Sequence, residues 1–232
     1  GEVSYRFSLT DLGRTRAHDA MKQCAYVGPA PVPLEDYVEQ CYRQTVTGLQ
    51  CFPEALRAPF GHLVMKEDLF NAIGPAIISG RSVFIYGPPG NGKTAIARSI
   101  GDFMNTAGGS IYVPHAFIAE GNIVTVYDPS LHVVDDTQTE FGDEADATVR
   151  RLLSAGAADQ RWIKIRRPVI VTGGELNLHM LDLRYNAEAN FYQAPIHFKA
   201  NGGVFLIDDF GRQLCSPKEL LNRWILPLED RH

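Results

Sequence analysis

The run Gly87 to Thr94 (GPPGNGKT) places two obligatory glycines, a lysine and a hydroxyl residue at the spacing G-x-x-x-x-G-K-[ST], met by Gly87, Gly92, Lys93 and Thr94. Glycines let the backbone curl until several N–H groups point inward at one anionic group, and a helix that follows adds the positive end of its dipole. On this reading the Lys93 ammonium reaches the β- and γ-phosphates of a nucleotide and the Thr94 hydroxyl ligates Mg²⁺. Pro88 and Pro89 stiffen the loop where a backbone donor is dispensable. The plain alternative is a glycine-rich turn of no chemical consequence. Context argues against it, because a short apolar run (Ser82 to Tyr86, SVFIY) precedes the loop and a helical pattern from Lys93 to about Met104 follows.

A phosphate loop that uses a metal needs a second acid, and VFLIDDF (Val204 to Phe210) supplies one. Asp208 ends a hydrophobic strand, where a carboxylate emerges beside a loop of this kind and can hold the metal's water shell. An acid pair closing an ordinary strand would be the simpler reading in isolation. With the loop in the same chain, the Mg²⁺ role for Asp208 is the better one.

These groups need a scaffold. SVFIY reads as a buried parallel strand, with further strands at Ser110–Val113, Asn122–Tyr127, Pro168–Thr172 and within VFLIDDF. Lys66–Ile78 has apolar residues at Leu69, Phe70, Ile73, Ile77 and Ile78, the periodicity of a helix face, and Gly80 stops it. Further helices are expected at Asp143–Ala158, at Leu34–Leu56 with a turn at Gly48 and a stop at Pro53, and from Pro217 onward. Strands alternating with helices imply a parallel sheet covered on both faces. Toward the start, the segment Ser4 to Ala20 reads as a short strand (YRFSL, Tyr5 to Leu9) and then a helix with Thr10 as its N-cap. The prolines Pro29, Pro31 and Pro33 make an extended strap within residues 1–55, which comprise an N-terminal segment and this linker, and the main domain is 56–232.

Composition sets limits on function. The chain has 232 residues, 45% hydrophobic and 21% charged, enough apolar content for a packed core. A net charge of −5 argues against a broad nucleic-acid-coating surface, although a local basic strip remains compatible with it. The four cysteines share no C-x-x-C spacing, which points to reduced thiols in a cytoplasmic protein. No apolar run reaches the ~20 residues of a membrane span.

GPPGNGKT with a following helix, and a hydrophobic strand ending in two acids, resembles the AAA+ ATPases. The phrase YQAPIHFKANGGVFLIDDFGR looks like the run before the acid pair in enhancer-binding activators, MCM helicases and MoxR-type ATPases, groups that carry an insertion in the preceding helix. Thr94 and Asp208 lie 114 positions apart, room enough for one, and Gly174 to Phe198 is the candidate. The likeness runs from about Pro59 to the C-terminus. It implies an α/β P-loop NTPase with a central parallel sheet flanked by helices, the AAA+ large subdomain, plus an N-terminal, mostly helical segment. It also implies ATP or ADP with Mg²⁺ as ligands, held around the phosphates by Gly87, Pro88, Pro89, Gly90, Asn91, Gly92, Lys93, Thr94 and Ala95. Lys93 and Asp209 follow as catalytic residues, Thr94 and Asp208 as metal residues, with a protein partner to be remodelled and a homo-oligomeric ring. One departure matters. The family carries Glu at the position of Asp209, where it deprotonates the attacking water, and Asp is shorter by one methylene. A nucleotide-gated switch with slow or no hydrolysis, transcription- or DNA-linked, is therefore the rival reading. The phrase YRFSLTDLGRTRA resembles the wing-to-helix ending of winged-helix domains, which favours the DNA-linked form of that rival. The chain opens on Gly1 and only a short stretch follows Asp208, so the sensor strand, arginine finger and lid are expected beyond His232.

Other features have simpler readings. Arg161, Lys164, Arg166 and Arg167 read as one solvated strand face, against a partner or nucleic-acid contact. Phe191 and Tyr192 are core aromatics or, in an AAA+ pore, a substrate grip. His179 and Asp182 sit at i, i+3 of an expected helix and form a hydrogen-bonded pair more readily than a metal site. His115 and His132 are isolated.

Overall fold

A computed structural model describes residues 8–49, 52–85, 88, 90–135 and 159–230. The expected helix over 143–158 and most of the expected opening strand lie outside these residues. In chain order the elements are α1 (Asp11–Gln23), β1 (Val32–Pro33), α2 (Leu34–Arg43), α3 (Pro53–Phe60), α4 (Glu67–Ile78), α5 (Lys93–Gly108), β2 (Ile111–Pro114), β3 (Ala116–Ala119), β4 (Asn122–Thr125), β5 (Trp162–Ile165), β6 (Val169–Thr172), β7 (Arg184–Asn186), β8 (Phe191–Gln193), α6 (Ile196–Lys199), β9 (Val204–Ile207) and α7 (Pro217–Asp230). Thr10 caps α1 as its sequence suggests, its hydroxyl accepting the Gly13 N–H at 3.1 Å.

The chain is α/β, but among the described residues its strands do not form one parallel sheet. They make a five-stranded mixed sheet in the order β1-β3-β4-β8-β7, an antiparallel pair β2-β5 and a parallel pair β6-β9. Part of the reason is local. Glu120 and Gly121 both take positive φ (50° and 79°) and join β3 to β4 in a two-residue turn, with Ala119 opposite Asn122. Such a turn has the twist of a hairpin and leaves no room for a helical crossover. Around Asn186 a second hairpin forms, in which the side-chain carbonyl of Asn186 accepts the Glu188 and Ala189 N–H groups and Asn190 takes a left-handed φ of 54°.

The expected strand before the phosphate loop is also corrected. Residues 82–85 enter no ladder among the described residues, and Val83 and Phe84 are 52% and 71% exposed. An apolar β-branched run has the propensity for a strand, but the strand exists only where a neighbour supplies hydrogen bonds. Pro53 likewise opens α3 instead of ending a helix, since its missing N–H costs nothing at the first helical position.

Three apolar clusters hold these elements. Tyr37 of α2 stacks on Phe117 of β3 at 5.2 Å between ring centroids, in a core shared with Val32, Ile111, Val124 and Ile165. Leu56 and Phe60 of α3, Phe70, Ile73 and Ile77 of α4 and Ile96, Phe103 and Met104 of α5 make an all-helical second cluster. Leu220 of α7 closes a third over Leu176 and Leu181. No helix among the described residues is long and apolar enough to cross a membrane.

Candidate functional site

α5 starts where the loop ends. Gly92 is in the left-handed region (φ 74°) and its carbonyl accepts the Ile96 N–H at 2.9 Å, so the helix begins at Lys93. The first-turn N–H groups of a helix have no intrahelical acceptor. Gly90 also has positive φ (84°), and a Cβ at Gly90 or Gly92 would meet no atom of the described residues within 4 Å. Only glycine takes this backbone without strain. Lys93 donates to the Pro88 carbonyl at 3.1 Å, and Pro88, Gly90 and Asn91 are exposed while Ala95 is half-buried at the helix start. Gly87 and Pro89 lie outside the described residues.

The acid pair arrives on β9. That strand runs parallel to β6 with Val204 opposite Val169 and Ile207 opposite Thr172, and the Asp208 N–H continues the ladder to the Thr172 carbonyl at 2.7 Å. α5 crosses the same pair: a Cβ at Gly101 would lie 2.0 Å from Val169 Cγ2, a contact only glycine permits. As a result Thr94 and Asp208 meet. The Thr94 hydroxyl donates to Asp208 Oδ2 at 2.5 Å. Asp208 Oδ1 accepts the Asp209 N–H at 2.9 Å. The Thr94 hydroxyl, then the Asp209 amide and the nearby Lys93 charge hold the Asp208 carboxyl below its ordinary range, so it is ionised at neutral pH.

Asp209 stands differently. Its φ is 51°, unusual for a residue with a side chain, and its carboxylate is exposed, 3.8 Å from the equally exposed Arg212 guanidinium. The turn that imposes this conformation is closed by Gln213. The Gln213 amide donates to the Asp208 and Asp209 carbonyls at 2.8 and 3.1 Å and accepts the Gly211 N–H at 2.6 Å. Phe210 meets Phe84 edge-on at 6.0 Å, which brings the segment before the loop against the segment after the acids. Gln213 was not legible in the sequence, since a glutamine in a turn carries no chemical pattern.

The donor set fits a hard divalent cation: a hydroxyl and an ionised carboxylate in direct contact, beside a loop that opens to solvent and carries an ammonium. Mg²⁺ takes one or two protein oxygens and completes its shell with waters and phosphate. No cluster of three or more His, Cys, Asp or Glu residues suited to a metal occurs among the described residues.

The remaining candidates separate from this centre. Arg161 pairs with Asp159 at 2.7 Å and Lys164 with Asp135 at 3.1 Å, while Arg167 is 4% exposed and bonded to backbone carbonyls. The basic strip is thus not one solvated face. β5 ends at Ile165, and the chain turns Arg167 inward. Phe191 packs edge-on against Tyr26 and Tyr192 lies 4.9 Å from Tyr185, both half-buried. Leu178–Leu181 is one turn of 3₁₀ helix, and Asp182 binds Arg223 at 2.6 Å, not His179. His132 is buried, with Nδ1 accepting the Asp128 N–H at 3.0 Å.

No family model matches the chain. Among curated proteins it is similar to the proteasome-activating nucleotidase of Methanoregula boonei, 26% identical over 168 residues, covering 64% of this chain and 37% of that protein. The proteasome-activating nucleotidase of Methanospirillum hungatei JF-1 is 28% identical over 148 residues, covering 56% of this chain and 34% of its own length. The chain spans about a third of the length of these relatives. Distant as it is, this similarity supports the AAA+ family that the loop and the acid pair suggest.

Proposed function

We propose that the chain binds MgATP between the 87–95 loop and Asp208 and hydrolyses it, as one subunit of an oligomeric ring that remodels a protein partner. The observation that carries the reading is the contact of Thr94 with Asp208 at 2.5 Å across 114 positions of sequence. Two oxygen donors from remote segments meet beside a glycine loop and a lysine, which is the arrangement a triphosphate-metal complex needs.

In this mechanism the 87–95 backbone and the α5 N-terminus bind the β-phosphate, and Lys93 leaves the Pro88 carbonyl to neutralise the γ-phosphate oxygens. Mg²⁺, held by Thr94 and the Asp208 side, would supply further charge neutralisation on the phosphates. Asp209 orients the attacking water and accepts its proton. The change on hydrolysis passes to the segment Gly174–Phe198 or to residues 1–55, which face the partner. The names of the relatives, which describe nucleotidases that activate a proteasome, agree with a protein partner.

Calorimetry with MgADP and MgATP tests the binding step. Wild type should bind, and Lys93→Ala should weaken binding by at least about 30-fold, as expected for removing one member of a charged hydrogen-bonded contact. Absence of heat with either nucleotide in wild type would end the proposal.

A second reading has its own observation. Asp209 is one methylene shorter than the glutamate of the resembled family, it sits at positive φ, and its carboxylate lies 3.8 Å from an exposed arginine, Arg212. That geometry favours a nucleotide-gated switch that binds ATP and turns it over slowly or not at all. Phosphate release by Asp209→Glu and wild type separates the readings: a higher rate in the glutamate variant supports a slow motor, and no turnover in either protein with partners present supports the switch.

A further inference from the structure

Arg167 is a buried cation with an unusual set of partners. Its guanidinium donates to four backbone carbonyls: Nη1 to Gly202 at 2.7 Å and to Gln44 at 3.1 Å, Nε to Gly109 at 3.2 Å, and Nη2 to Gly108 at 3.3 Å. No carboxylate among the described residues pairs with it. Burying such a charge is unfavourable unless its donors are satisfied, so the four bonds are what keep the side chain inside.

The four carbonyls come from three places. Gly108 and Gly109 end α5, where a cation also meets the negative end of the helix dipole. Gly202 stands just before β9, and Gln44 caps α2. The backbone of Arg167 is held to α5 as well, since Asn105 Oδ1 accepts the Arg167 N–H at 2.7 Å and Asn105 Nδ2 donates to the Arg167 carbonyl at 3.1 Å. Little slack remains at this joint: a Cβ on Gly203 would lie 2.1 Å from the Pro168 carbonyl oxygen.

α5 and β9 are the two elements whose other ends carry Thr94 and Asp208. Thr94 is about 21 Å along the helix from Gly108 at 1.5 Å per residue. Asp208 is about 20 Å along the strand from Gly202 at 3.3 Å per residue. We propose that Arg167 is a positioning residue for the Thr94–Asp208 pair, fixing the far ends of α5 and β9 to each other so that the two oxygens at the near ends stay in contact. Its effect on metal and nucleotide rests on the MgATP reading above; its effect on the pair does not. A shift of ~1 Å at a reacting centre can cost ~100-fold, so a joint this far away can still matter.

The experiment uses the whole chain with Arg167→Lys, which keeps the charge but loses the planar fork, and Asn105→Ala, which releases the backbone clasp. Two measurements are made on samples whose circular dichroism matches wild type. The first is the NMR position of the Thr94 methyl group at neutral pH without nucleotide; in Arg167→Lys it should move toward its position in Asp208→Asn, as the Thr94–Asp208 contact is lost. The second is ADP binding with Mg²⁺ and with EDTA; the Mg²⁺-dependent affinity should fall about tenfold and the EDTA value should stay within about twofold. A merely structural Arg167 would lower the melting temperature and leave both readouts at their wild-type values, and that result overturns the proposal. If Arg167→Lys does not fold, Asn105→Ala decides by the same two criteria. If wild type binds no nucleotide, the MgATP reading fails and the Thr94 methyl position alone decides for or against the positioning role.

Discussion

The half of the molecule built on the five-stranded sheet and the half built on the β6–β9 pair treat their polar groups in opposite ways. In the first, the groups are consumed internally. Lys199 Nζ binds Asp128 at 2.8 Å, His132 Nε2 meets the Lys199 carbonyl at 2.7 Å, and Asp128 also accepts the Ser130 N–H and hydroxyl. Burial pulls the His132 pKa below its usual value, so the ring is neutral, which lets Nδ1 accept while Nε2 donates. In the second half, β9 is half-buried along its whole length, Phe84 and Phe210 meet at the surface, and Asp209 holds a left-handed backbone with its carboxylate in solvent. The contrast teaches where stability and chemistry are divided: closed polar networks hold the mixed sheet, and the groups with chemical potential sit on a thinner, more open support.

Substitutions can break this comparison. The largest effect is expected for Phe117→Ala, which removes a buried ring stacked on Tyr37. It should cost about 3–5 kcal/mol in urea denaturation, and a loss below about 1 kcal/mol would contradict the view that the mixed sheet carries the stability. Next comes Lys199→Ala, which leaves Asp128 partly buried without its cation and should cost about 1–3 kcal/mol at neutral pH. Burial pushes the Asp128 carboxyl up, but the Lys199 and Ser130 hydrogen bonds outweigh it and bring its pKa from 3.8 down to about 2. Because the folded value is depressed, the contribution is complete above 3.8 and is lost as pH falls toward 2. Acid denaturation of Lys199→Ala should be correspondingly flatter over that window.

In the open half the balance reverses. Asp208→Asn should change stability by less than about 1 kcal/mol while lowering the Mg²⁺-dependent part of nucleotide affinity, read by calorimetry with and without EDTA. The smallest effect on stability is expected for Asp209→Gly. Glycine accepts the positive φ but loses more freedom on folding, so the melting curve should move by no more than about 1 kcal/mol in either direction. A loss above 2 kcal/mol there would mean that the acid turn is part of the stabilising frame after all.

Several elements were legible because their signals are local. Thr10 with the helix after it, the Lys66–Ile78 face stopped at Gly80, the helix from Lys93 and the strands at Ile111, Asn122, Val169 and Val204 follow from caps, glycines and periodicity within a few residues. The strand expected at Ser82–Tyr86, of which Ser82–Ile85 are described, enters no ladder among the described residues, for the opposite reason. Its apolar run fits a ladder, yet the ladder depends on a neighbour that no local pattern specifies. The hairpin at Glu120–Gly121 was missed although its glycine is visible, because a turn residue does not say whether the flanking strands pair with each other or cross over.

What the amino-acid sequence by itself determined is the chemistry available: a glycine loop with a lysine and a hydroxyl, and a hydrophobic strand that ends in two carboxylates. Only the tertiary structure decided which of those groups meet. Thr94 touches Asp208 because α5 packs on the β6–β9 pair through Gly101, and Asp209 points to solvent because Gln213 closes its turn. Arg167, one of four basic residues in a strip, goes inside because glycine carbonyls from remote segments converge on it. Residue type is a local property carried by covalent structure, whereas contact between positions dozens of residues apart depends on packing, which a single chain of letters does not express.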